Sequence, residues 1–176
     1  MIIESLKLEN FRNFSRSELN FNSDAVFFEG GNGQGKTSLL EAIFFLANLR
    51  SFRTSKLSDL KKIGTASFHL ALSFCRLQGW KSVLEVDAGP VRTLSVDRVQ
   101  ISKASDFTGK IKTIAFLPDD PLIVSGPSLL RRRFFDMFIS MLDRGYFTQL
   151  QNYGQALRSR NFILKSSNCN RDILHS

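Results

Sequence analysis

Hydrophobic and polar positions alternate near the start of the chain and then give way to longer apolar runs. Leu6 and Leu8 alternate with polar neighbours, which is the pattern of a strand with one buried face. Ala25–Phe28 shows no alternation, so it predicts a strand buried on both faces. The apolar residues of the stretch 38–47 cover most of a helical circumference, so this stretch predicts a deeply packed helix.

The region between residues 68 and 101 predicts an antiparallel meander. Phe68–Phe74 alternates, and short β-branched runs follow at 83–86, 91–96 and 99–101. Gln78–Gly79 and Ala88–Pro90 mark turns between these runs. The pattern therefore favours sequential hairpins over parallel strand–helix–strand units.

Beyond residue 126 the apolar period becomes helical. One stripe begins at Leu130 and a second at Tyr146, and the polar residues 143–145 break the pattern between them. We therefore predict a mixed α/β chain in two parts. Residues 1–125 form a lobe that contains the meander, and residues 126–176 begin a helical lobe that stops in mid-architecture.

Composition places the chain among ordinary globular proteins. It has 176 residues, 43% of them hydrophobic and 23% charged. No run approaches the roughly 18 apolar residues of a membrane span, and the N-terminus does not resemble a signal peptide. Cys75 and Cys169 stand far apart, which favours a reduced cytoplasmic protein.

Positive charge is concentrated in the last part of the chain. The net charge is +8 overall, of which residues 126–176 hold +5 and the longer stretch 1–125 holds +3. This asymmetry is typical of a protein with a polyanionic partner such as nucleic acid, and it also fits a solvated basic face that has no partner.

The segment between the predicted buried strand and the predicted helix fits the P-loop pattern G-x-x-x-x-G-K-[ST]. Glycines let successive backbone N–H groups point inward around phosphates, and the following helix directs its positive end at the same anion. Lys36 supplies a point charge, and the Thr37 hydroxyl is a hard oxygen ligand suited to Mg²⁺. The predicted phosphate-binding residues are Gly30, Gly31, Asn32, Gly33, Gln34, Gly35, Lys36 and Thr37.

Phosphate binding does not imply turnover, which normally needs an acidic residue at the end of a second strand. Asp119 and Asp120 follow an apolar run, but Pro118 fixes the backbone where the strand should deliver its carboxylate. A turn between strand and loop is the favoured interpretation. His69 and His175 have no partner at a metal-ligand spacing, so no metal site is predicted from histidine.

Arginines are densest where the helical pattern begins. Three consecutive helical positions point about 100° apart, so Arg131–Arg133 cannot form one flat patch; one of them should point partly inward or to a partner, and the other two should face water. Phosphate contact with DNA and an i,i+4 salt bridge from Arg132 to Asp136 are both open interpretations. The candidate DNA-binding residues are Arg132, Arg133, Arg158 and Arg160.

Several segments together resemble the RecF family of bacterial recombination-repair ATPases. The segments that carry the resemblance are Leu8–Phe14 (LENFRNF), Gly30–Ile43 (GGNGQGKTSLLEAI), Ser51–Thr54 (SFRT), Pro118–Ser128, Arg131–Asp136 (RRRFFD) and Leu157–Asn161 (LRSRN). Family members are about twice as long, and their signature serine motif and Mg²⁺-site acids lie in the second half. Thr93–Asp97 comes nearest to the signature but lacks its glycines.

The resemblance implies an incomplete P-loop NTPase of the ABC/SMC-head type, in which two heads enclose ATP as an ATP-dependent homodimer. It implies ATP and Mg²⁺ as cofactors, with Lys36 and Thr37 on phosphate and metal, and Arg12, Asn13 and Arg53 near the nucleotide. It also implies a cytoplasmic protein of replication, repair and the SOS response to DNA damage. Such a protein binds single-stranded or gapped DNA and loads recombinase with recombination mediator proteins.

On this basis we expect the chain to bind ATP without hydrolysing it independently. A free-standing P-loop kinase or GTPase is the alternative from another class, but it should show alternating strands and helices. The missing Asn-Lys-x-Asp guanine motif also disfavours a GTPase. A remnant that binds neither ATP nor DNA is the third possibility.

Overall fold

The computed structural model describes residues 1–76, 79–118 and 120–165, which divide into two compact units. The first unit is Met1–Phe116 and the second begins at Leu117. The predicted division into lobes 1–125 and 126–176 stays a prediction. The residues Asp119, Cys169 and His175, which the sequence analysis considered, lie outside the described residues.

A six-stranded antiparallel sheet organises the first unit, with strand order β2-β1-β3-β4-β5-β6. Sequential hairpins account for most of this order, and β1 pairs with both β2 and β3. The antiparallel meander is therefore confirmed. The strands are β1 (Ile2–Phe11), β2 (Phe14–Asn20), β3 (Phe68–Cys75), β4 (Lys81–Ala88), β5 (Arg92–Val96) and β6 (Val99–Gln100).

Alternating leucines set the register of the central strands. Leu6 lies opposite Leu72, and Leu8 lies opposite Leu70, across the pairing of β1 and β3. All four side chains are fully buried, so each strand directs the same alternate positions into one core. A slip of one residue would expose this entire set, which is why the pattern fixes the register.

The helix α1 (Lys36–Asn48) packs against the buried face of the sheet. Ala42, Phe45 and Leu46 are buried in the common core, and the ring of Phe45 meets that of Phe68 edge-to-face with centroids 5.9 Å apart. The predicted deeply packed helix is confirmed. The chain leaves it through Leu49, whose φ of 53° lies in the left-handed region that ends many helices.

The predicted strand Ala25–Phe28 is wrong for this structure. The segment belongs to no ladder, and the side chain of Phe27 is 93% exposed. Phe28 does pack against the core and meets Phe21 edge-to-face. A continuous apolar run becomes a strand only where neighbouring strands pair with it on its edges, and the described residues supply no such neighbour here. The apolar run 111–117, which precedes Pro118, is likewise without a ladder.

Two shorter elements of the first unit lie between the strands or after them. A 3₁₀ turn covers Leu57–Leu60, and the short helix α2 covers Ala104–Phe107. Backbone bonds join the end of the 3₁₀ turn to the end of β1, from Arg12 N to Leu60 O (2.8 Å) and from Lys62 N to Asn10 O (2.7 Å). These bonds bring residues 60–62 beside the turn between β1 and β2.

The second unit is helical, as the sequence predicts. It contains α3 (Leu122–Ser125), α4 (Ser128–Leu142) and α5 (Arg144–Lys165). Asp143 separates the two long helices, and the hydroxyl of Tyr146 donates to the Asp136 carboxylate across them (2.6 Å). This bond raises the pKa of the Tyr146 phenol, because the carboxylate favours the protonated form. Over the described residues, no helix combines the length and apolar character that crossing a bilayer requires.

Candidate nucleotide-binding site

The loop before α1 contains glycines that its path requires. Gly35 has φ of 104°, and a Cβ there would lie 2.7 Å from both the Asn13 amide nitrogen and the Phe14 ring. Gly30 has φ of 150° and would place a Cβ 2.4 Å from the Gln34 side-chain oxygen. A larger residue would be strained at the positive φ of either position, and at Gly35 it would also clash with the Phe14 ring, so geometry explains these two P-loop glycines.

Lys36 lies at the mouth of the loop. Its ammonium donates to the carbonyl oxygens of Gly30 (2.6 Å) and Gly31 (2.7 Å). A lysine ammonium carries three donors, so one remains after these two bonds. The lysine is thus held against the loop backbone with its charge beside the start of α1.

The start of α1 presents an environment that favours anions. Its first turn contains no acidic residue, and no side chain caps its N-terminus. The first amide groups of a helix lack intrahelical acceptors, and the helix dipole is positive at this end. Together with the Lys36 ammonium, these groups make the start of α1 electropositive, which is the environment of anion sites at helix N-termini.

Gln34 closes one side of the loop. Its side-chain oxygen accepts a hydrogen bond from the Gly31 amide (3.1 Å). Asn13 approaches from the turn between β1 and β2, and its side-chain amide donates to the Gln34 carbonyl oxygen (3.2 Å). The predicted row of inward-facing amides is therefore partly engaged by the chain's own side chains.

The loop nevertheless opens on a cavity of about 620 Å³. Predicted residues meet there with others that sequence analysis missed. The lining residues are Arg12, Asn13, Asn32, Gly33, Gly35, Lys36, Thr37, Ser38, Arg53, Asp59, Lys61, Lys62 and Ile63. The cavity thus gathers Arg12, Asn13 and Arg53 with Lys36 and Thr37, whereas Gly30, Gly31 and Gln34 form the loop without lining the cavity.

Lys61 and Lys62 are the basic residues that the sequence analysis missed. They reach the cavity because Phe11 forms a β-bridge with Lys61, next to the backbone bond between Lys62 and Asn10. The paired lysines before Gly64 are the local signal that could have drawn attention to them. Their position beside the phosphate loop depends on pairing between segments about fifty residues apart, which no local pattern specifies.

Arg12 is held in place by a fully buried carboxylate. It lies in the turn between β1 and β2 with φ of 54°, and its Nε and one terminal nitrogen donate to Glu41 of α1 at 2.8 and 2.6 Å. Its other terminal nitrogen donates to the Asp59 carbonyl oxygen (2.6 Å). The side chain of Arg53 reaches the same carboxylate at 3.5 Å.

Asp59 is an acidic residue on the cavity wall. The hydroxyl of Thr54 donates to it (2.6 Å) and is the main cause that lowers the pKa of its carboxyl; burial acts in the opposite direction, and Ser58, Lys56 and Arg12 lower the pKa further. The group is therefore charged at neutral pH. It offsets part of the positive charge that the surrounding lysines and arginines concentrate.

Thr37 lines the cavity at the start of α1. Its side-chain hydroxyl is the kind of oxygen ligand that Mg²⁺ prefers. No group of three or more His, Cys, Asp or Glu residues that could hold a metal occurs among the described residues. Mg²⁺ commonly keeps several waters and binds through few protein ligands together with substrate phosphates. The residues present therefore fit a magnesium ion held largely by nucleotide phosphates.

Other acidic and imidazole groups are used in structural contacts. Asp120 accepts from the Leu117 amide (2.7 Å), which supports the predicted turn. Asp97, in the segment nearest to a signature motif, accepts from the Ser82 hydroxyl (2.8 Å) and the Val83 amide (2.8 Å). His69 pairs with Asp87 across β3 and β4 at 2.7 Å.

The arginines of the second unit divide as their helical spacing predicts. Arg131 turns inward and donates to the Gly126 carbonyl (2.9 Å) and, more weakly, to those of Val124 (3.2 Å) and Ile123 (3.5 Å) at the end of α3. Arg132 and Arg133 are exposed on α4. No ion pair joins Arg132 to Asp136 in the described part of the second unit. Arg158 and Arg160 are exposed on α5.

The chain is similar to RecF proteins over nearly its whole length. It is 38% identical to the DNA replication and repair protein RecF of Leptospira interrogans across 99% of the chain and 48% of that protein. A solved structure of the recombination mediator protein RecF-ATP in the RecFOR pathway has 30% identity and a TM-score of 0.84, covering 93% of this chain and 44% of that one. The chain thus spans about half the length of the curated relatives that it matches.

The fold is shared more widely. A structure described as concerning ATP-driven dimerization and DNA-stimulated activation of SMC ATPases matches with a TM-score of 0.58 at 18% identity, covering 78% of this chain and 99% of that one. This likeness concerns the fold alone. It confirms the predicted P-loop NTPase fold of the ABC/SMC-head type.

Residues 1–118 match the family described as the AAA ATPase domain. That match includes the phosphate loop, α1 and every residue that lines the cavity. The predicted resemblance to RecF is also confirmed. Since the match covers more than half of the sequence, the chain belongs to the AAA ATPase domain family, and it is similar to the N-terminal half of RecF proteins.

Proposed function

We propose that the chain is the ATP-binding part of a DNA replication and repair protein of the RecF type. The observation that carries this proposal is the Lys36 ammonium at the mouth of the loop, beside an uncapped helix start that opens on a cavity of about 620 Å³. A similar protein has been solved as RecF-ATP, which supports a nucleoside triphosphate as the ligand.

Phosphate binding uses the loop and the helix start together. The free N–H groups at the start of α1 and the Lys36 ammonium neutralise the terminal phosphates, and Arg12 and Asn13 border the same space. An incoming phosphate oxygen competes with the Gln34 side chain for the Gly31 amide, because that amide can serve only one acceptor well. Thr37 contributes its hydroxyl to Mg²⁺ beside the phosphates.

We also propose that the chain alone does not turn ATP over. Turnover needs an acid that orients water and a metal, and Asp59 has both carboxylate oxygens engaged, by Thr54 and by Ser58. Asp97 and Asp120 are used in turns. These assignments support binding without independent hydrolysis.

Calorimetric titration with ATP and Mg²⁺ tests the binding. We expect Lys36→Ala to weaken ATP binding by about tenfold or more, the loss that one charge-assisted phosphate contact represents. Lys7→Ala is the matched control, since Lys7 lies on an exposed position of the sheet paired with Glu18 and removes the same charge elsewhere. Equal affinities for the two variants would contradict the proposed site.

Phosphate release measured on the same samples tests the absence of turnover. We expect no steady-state release above the level of Lys36→Ala. Steady release by the unmodified chain that Lys36→Ala abolishes would overturn the proposal of binding without hydrolysis and would leave the nucleotide site intact.

Single-stranded or gapped DNA is the second proposed ligand, and the exposed Arg132 and Arg133 of α4 support it. We expect the double variant Arg132→Ala/Arg133→Ala to weaken DNA binding by about tenfold and to reduce the salt slope by about two, because two phosphate contacts are lost. Fluorescence anisotropy at low and moderate salt measures both quantities. Arg131 is unsuitable for this test because it closes the end of α3.

Lys7→Ala/Arg16→Ala provides the control of equal charge change on the other unit, where both side chains form exposed ion pairs. DNA affinity that does not respond to salt, or that falls equally in both double variants, would contradict phosphate contact through α4.

The remaining roles belong to the intact protein and are likewise proposed by similarity. They are ATP-dependent homodimerisation, work with recombination mediator proteins and recombinase loading in the cytoplasm. A free-standing kinase or GTPase is less well supported, because every pairing in the described sheet is antiparallel. If the unmodified chain binds neither ATP nor DNA, the third possibility, a remnant without either activity, would be favoured.

A further inference from the structure

We infer that Glu41 is a positioning residue that holds Arg12 and Arg53 at the wall of the nucleotide cavity. The inference rests on the proposed function, because it concerns how this cavity receives a nucleotide. Glu41 itself does not line the cavity; both arginines do. Glu41 therefore affects the cavity indirectly, by holding the two guanidinium groups in place.

The burial of Glu41 is the first observation. The side chain is fully buried on α1, and most of the other buried residues of this helix are apolar. An ionised carboxylate in such a place is strongly unfavourable unless charged or polar donors surround it. A carboxylate in the middle of this helix therefore requires a compensating set of partners.

The partners come from two separate segments that both border the cavity. Arg12 donates twice, at 2.6 and 2.8 Å, from the turn between β1 and β2. The hydroxyl of Ser51 donates at 2.5 Å, and a terminal nitrogen of Arg53 lies at 3.5 Å, both from the segment after α1. One carboxylate thus ties two loops to the helix that begins at the phosphate loop.

The bonds of Arg12 fix its orientation. Two of its nitrogens bind Glu41 and the third binds the Asp59 carbonyl oxygen, so all three are engaged by the protein. A guanidinium has five N–H donors, and these three bonds leave two donors for a ligand. The planar fork makes such an arrangement rigid, because two parallel bonds to one carboxylate prevent rotation.

Ser51 transmits the same constraint to Arg53. While its hydroxyl donates to Glu41, its oxygen accepts from the backbone amides of Arg53 (2.9 Å) and Thr54 (3.1 Å). The turn that carries Arg53 is therefore built around a hydroxyl that Glu41 holds. Loss of the carboxylate would release both arginines at once.

The negative charge of Glu41 makes a positioning role and an electrostatic role predict opposite changes in ATP affinity. Replacing Glu41 by Gln raises the net charge beside the cavity by one, so a purely electrostatic role would make ATP bind more tightly. Positioning predicts the opposite, because two freed guanidinium groups lose their preorganised placement. A role confined to stability predicts no change in the affinity of the folded chain.

The test is a titration of the full chain with ATP and Mg²⁺, for the unmodified protein and for Glu41→Gln, Arg12→Met and the double variant. We expect Glu41→Gln to weaken ATP binding by about tenfold, the scale of losses when a group that orients a ligand's partner is removed. The double variant should lose less than the product of the two single effects, because Glu41 acts through Arg12.

Asn48→Ala is the control for general damage to α1. Asn48 is buried on the same helix and donates to Phe44 O (3.1 Å) and to the Thr113 hydroxyl (2.8 Å), at the end away from the phosphate loop. We expect this variant to lower the unfolding midpoint without changing the affinity for ATP. Unfolding midpoints of all variants identify any that do not fold at the titration temperature, and Ser51→Ala, which removes a neutral link to the same carboxylate, then takes the place of Glu41→Gln.

The outcomes separate the two proposals. Unchanged or tighter ATP binding by folded Glu41→Gln, with Lys36→Ala still impaired, would overturn the positioning role alone. An unmodified chain that does not bind ATP would overturn the proposed function, and the positioning role with it. Fully multiplicative effects in the double variant would also overturn the inference, since they would mean that Glu41 acts independently of Arg12.

Discussion

The central strands of the sheet and the segment Ala25–Phe28 both contribute apolar residues, yet only the strands form hydrogen-bonded β-ladders. In the sheet, Leu70 and Leu72 are fully buried and paired on both edges of their strand. In the segment, Phe27 is 93% exposed, and none of the strands in the described part of the chain lies alongside. Alternation tells a strand which face to bury, and in β3 the following strand β4 pairs with one edge while β1 pairs with the other. A continuous apolar run requires neighbours on both edges, and it does not say where they are.

The difference teaches that the two regions owe their structure to different distances along the chain. The hairpins of the sheet join segments that are only a few residues apart, so closing them costs little conformational entropy, and only the pairing of β1 with β3 closes a long loop. Among the described strands, none pairs with the run before the phosphate loop. Its burial therefore depends on contacts that local sequence cannot provide.

The largest expected effect is the contrast between Phe74→Ala and Phe27→Ala. Phe74 is fully buried in the common core, so its truncation should lower the free energy of unfolding by about 3–5 kcal/mol. Phe27 is exposed, so the same truncation there should change it by less than about 0.5 kcal/mol. Urea unfolding followed by circular dichroism measures both.

Each of these variants is the control for the other, since the chemical change is identical. Comparable losses for the two would break the comparison, because they would mean that Phe27 is buried in the folded chain in solution. A Phe27 effect below the detection limit would show that this exposed side chain does not contribute measurably to the stability of the unit.

Local patterns predicted much of the fold for the same reason. The leucines of β1 and the alternation of β3 identified their strands, and Lys36 was placed at the start of a helix by the P-loop motif. The approach of Lys61 to the cavity was missed, because it depends on the bridge to Phe11. A pattern records the spacing of residues within an element and not the pairing of distant segments.

The candidate site shows the same division. Gly35, Lys36 and Thr37 are adjacent in sequence and were predicted as a unit from the chemistry of phosphate binding. Arg12 was connected to the site only through the resemblance to a family. Glu41 was seen as part of an apolar helix, and its role in holding two loops became visible only when the structure placed their side chains around one buried carboxylate.

The turn between β5 and β6 offers an intermediate effect that sharpens the comparison. Asp97 has φ of 53°, and its carboxylate accepts from the Ser82 hydroxyl and the Val83 amide, so it fixes both the turn and the edge of β4. We expect Asp97→Ala to lower the free energy of unfolding by about 1–2 kcal/mol, because the Val83 amide loses its acceptor and alanine is strained at positive φ. Urea unfolding measures the loss.

Asp97→Asn is the matched variant for this turn. Asparagine tolerates the left-handed conformation and keeps an acceptor oxygen, so its loss should be smaller than that of alanine. Equal losses for the two variants would mean that the negative charge, and not the turn conformation or the hydrogen bonds as such, stabilises this edge of the sheet.

The smallest effect concerns Arg98, the second residue of the same turn. Its φ of 67° follows the positive φ of Asp97, a pair of left-handed residues typical of the two-residue hairpin turns in which Asp-Gly is preferred. Arg98→Gly should raise the free energy of unfolding by about 0.5 kcal/mol, since relief of left-handed strain exceeds the greater entropy that glycine gives the unfolded chain. Arg98→Ala removes the same side chain but keeps the strain, so it should show no gain. A gain of equal size in both variants would assign the effect to the arginine side chain and not to the backbone, and the claim that local turn geometry supports this sheet would then fail at its last hairpin.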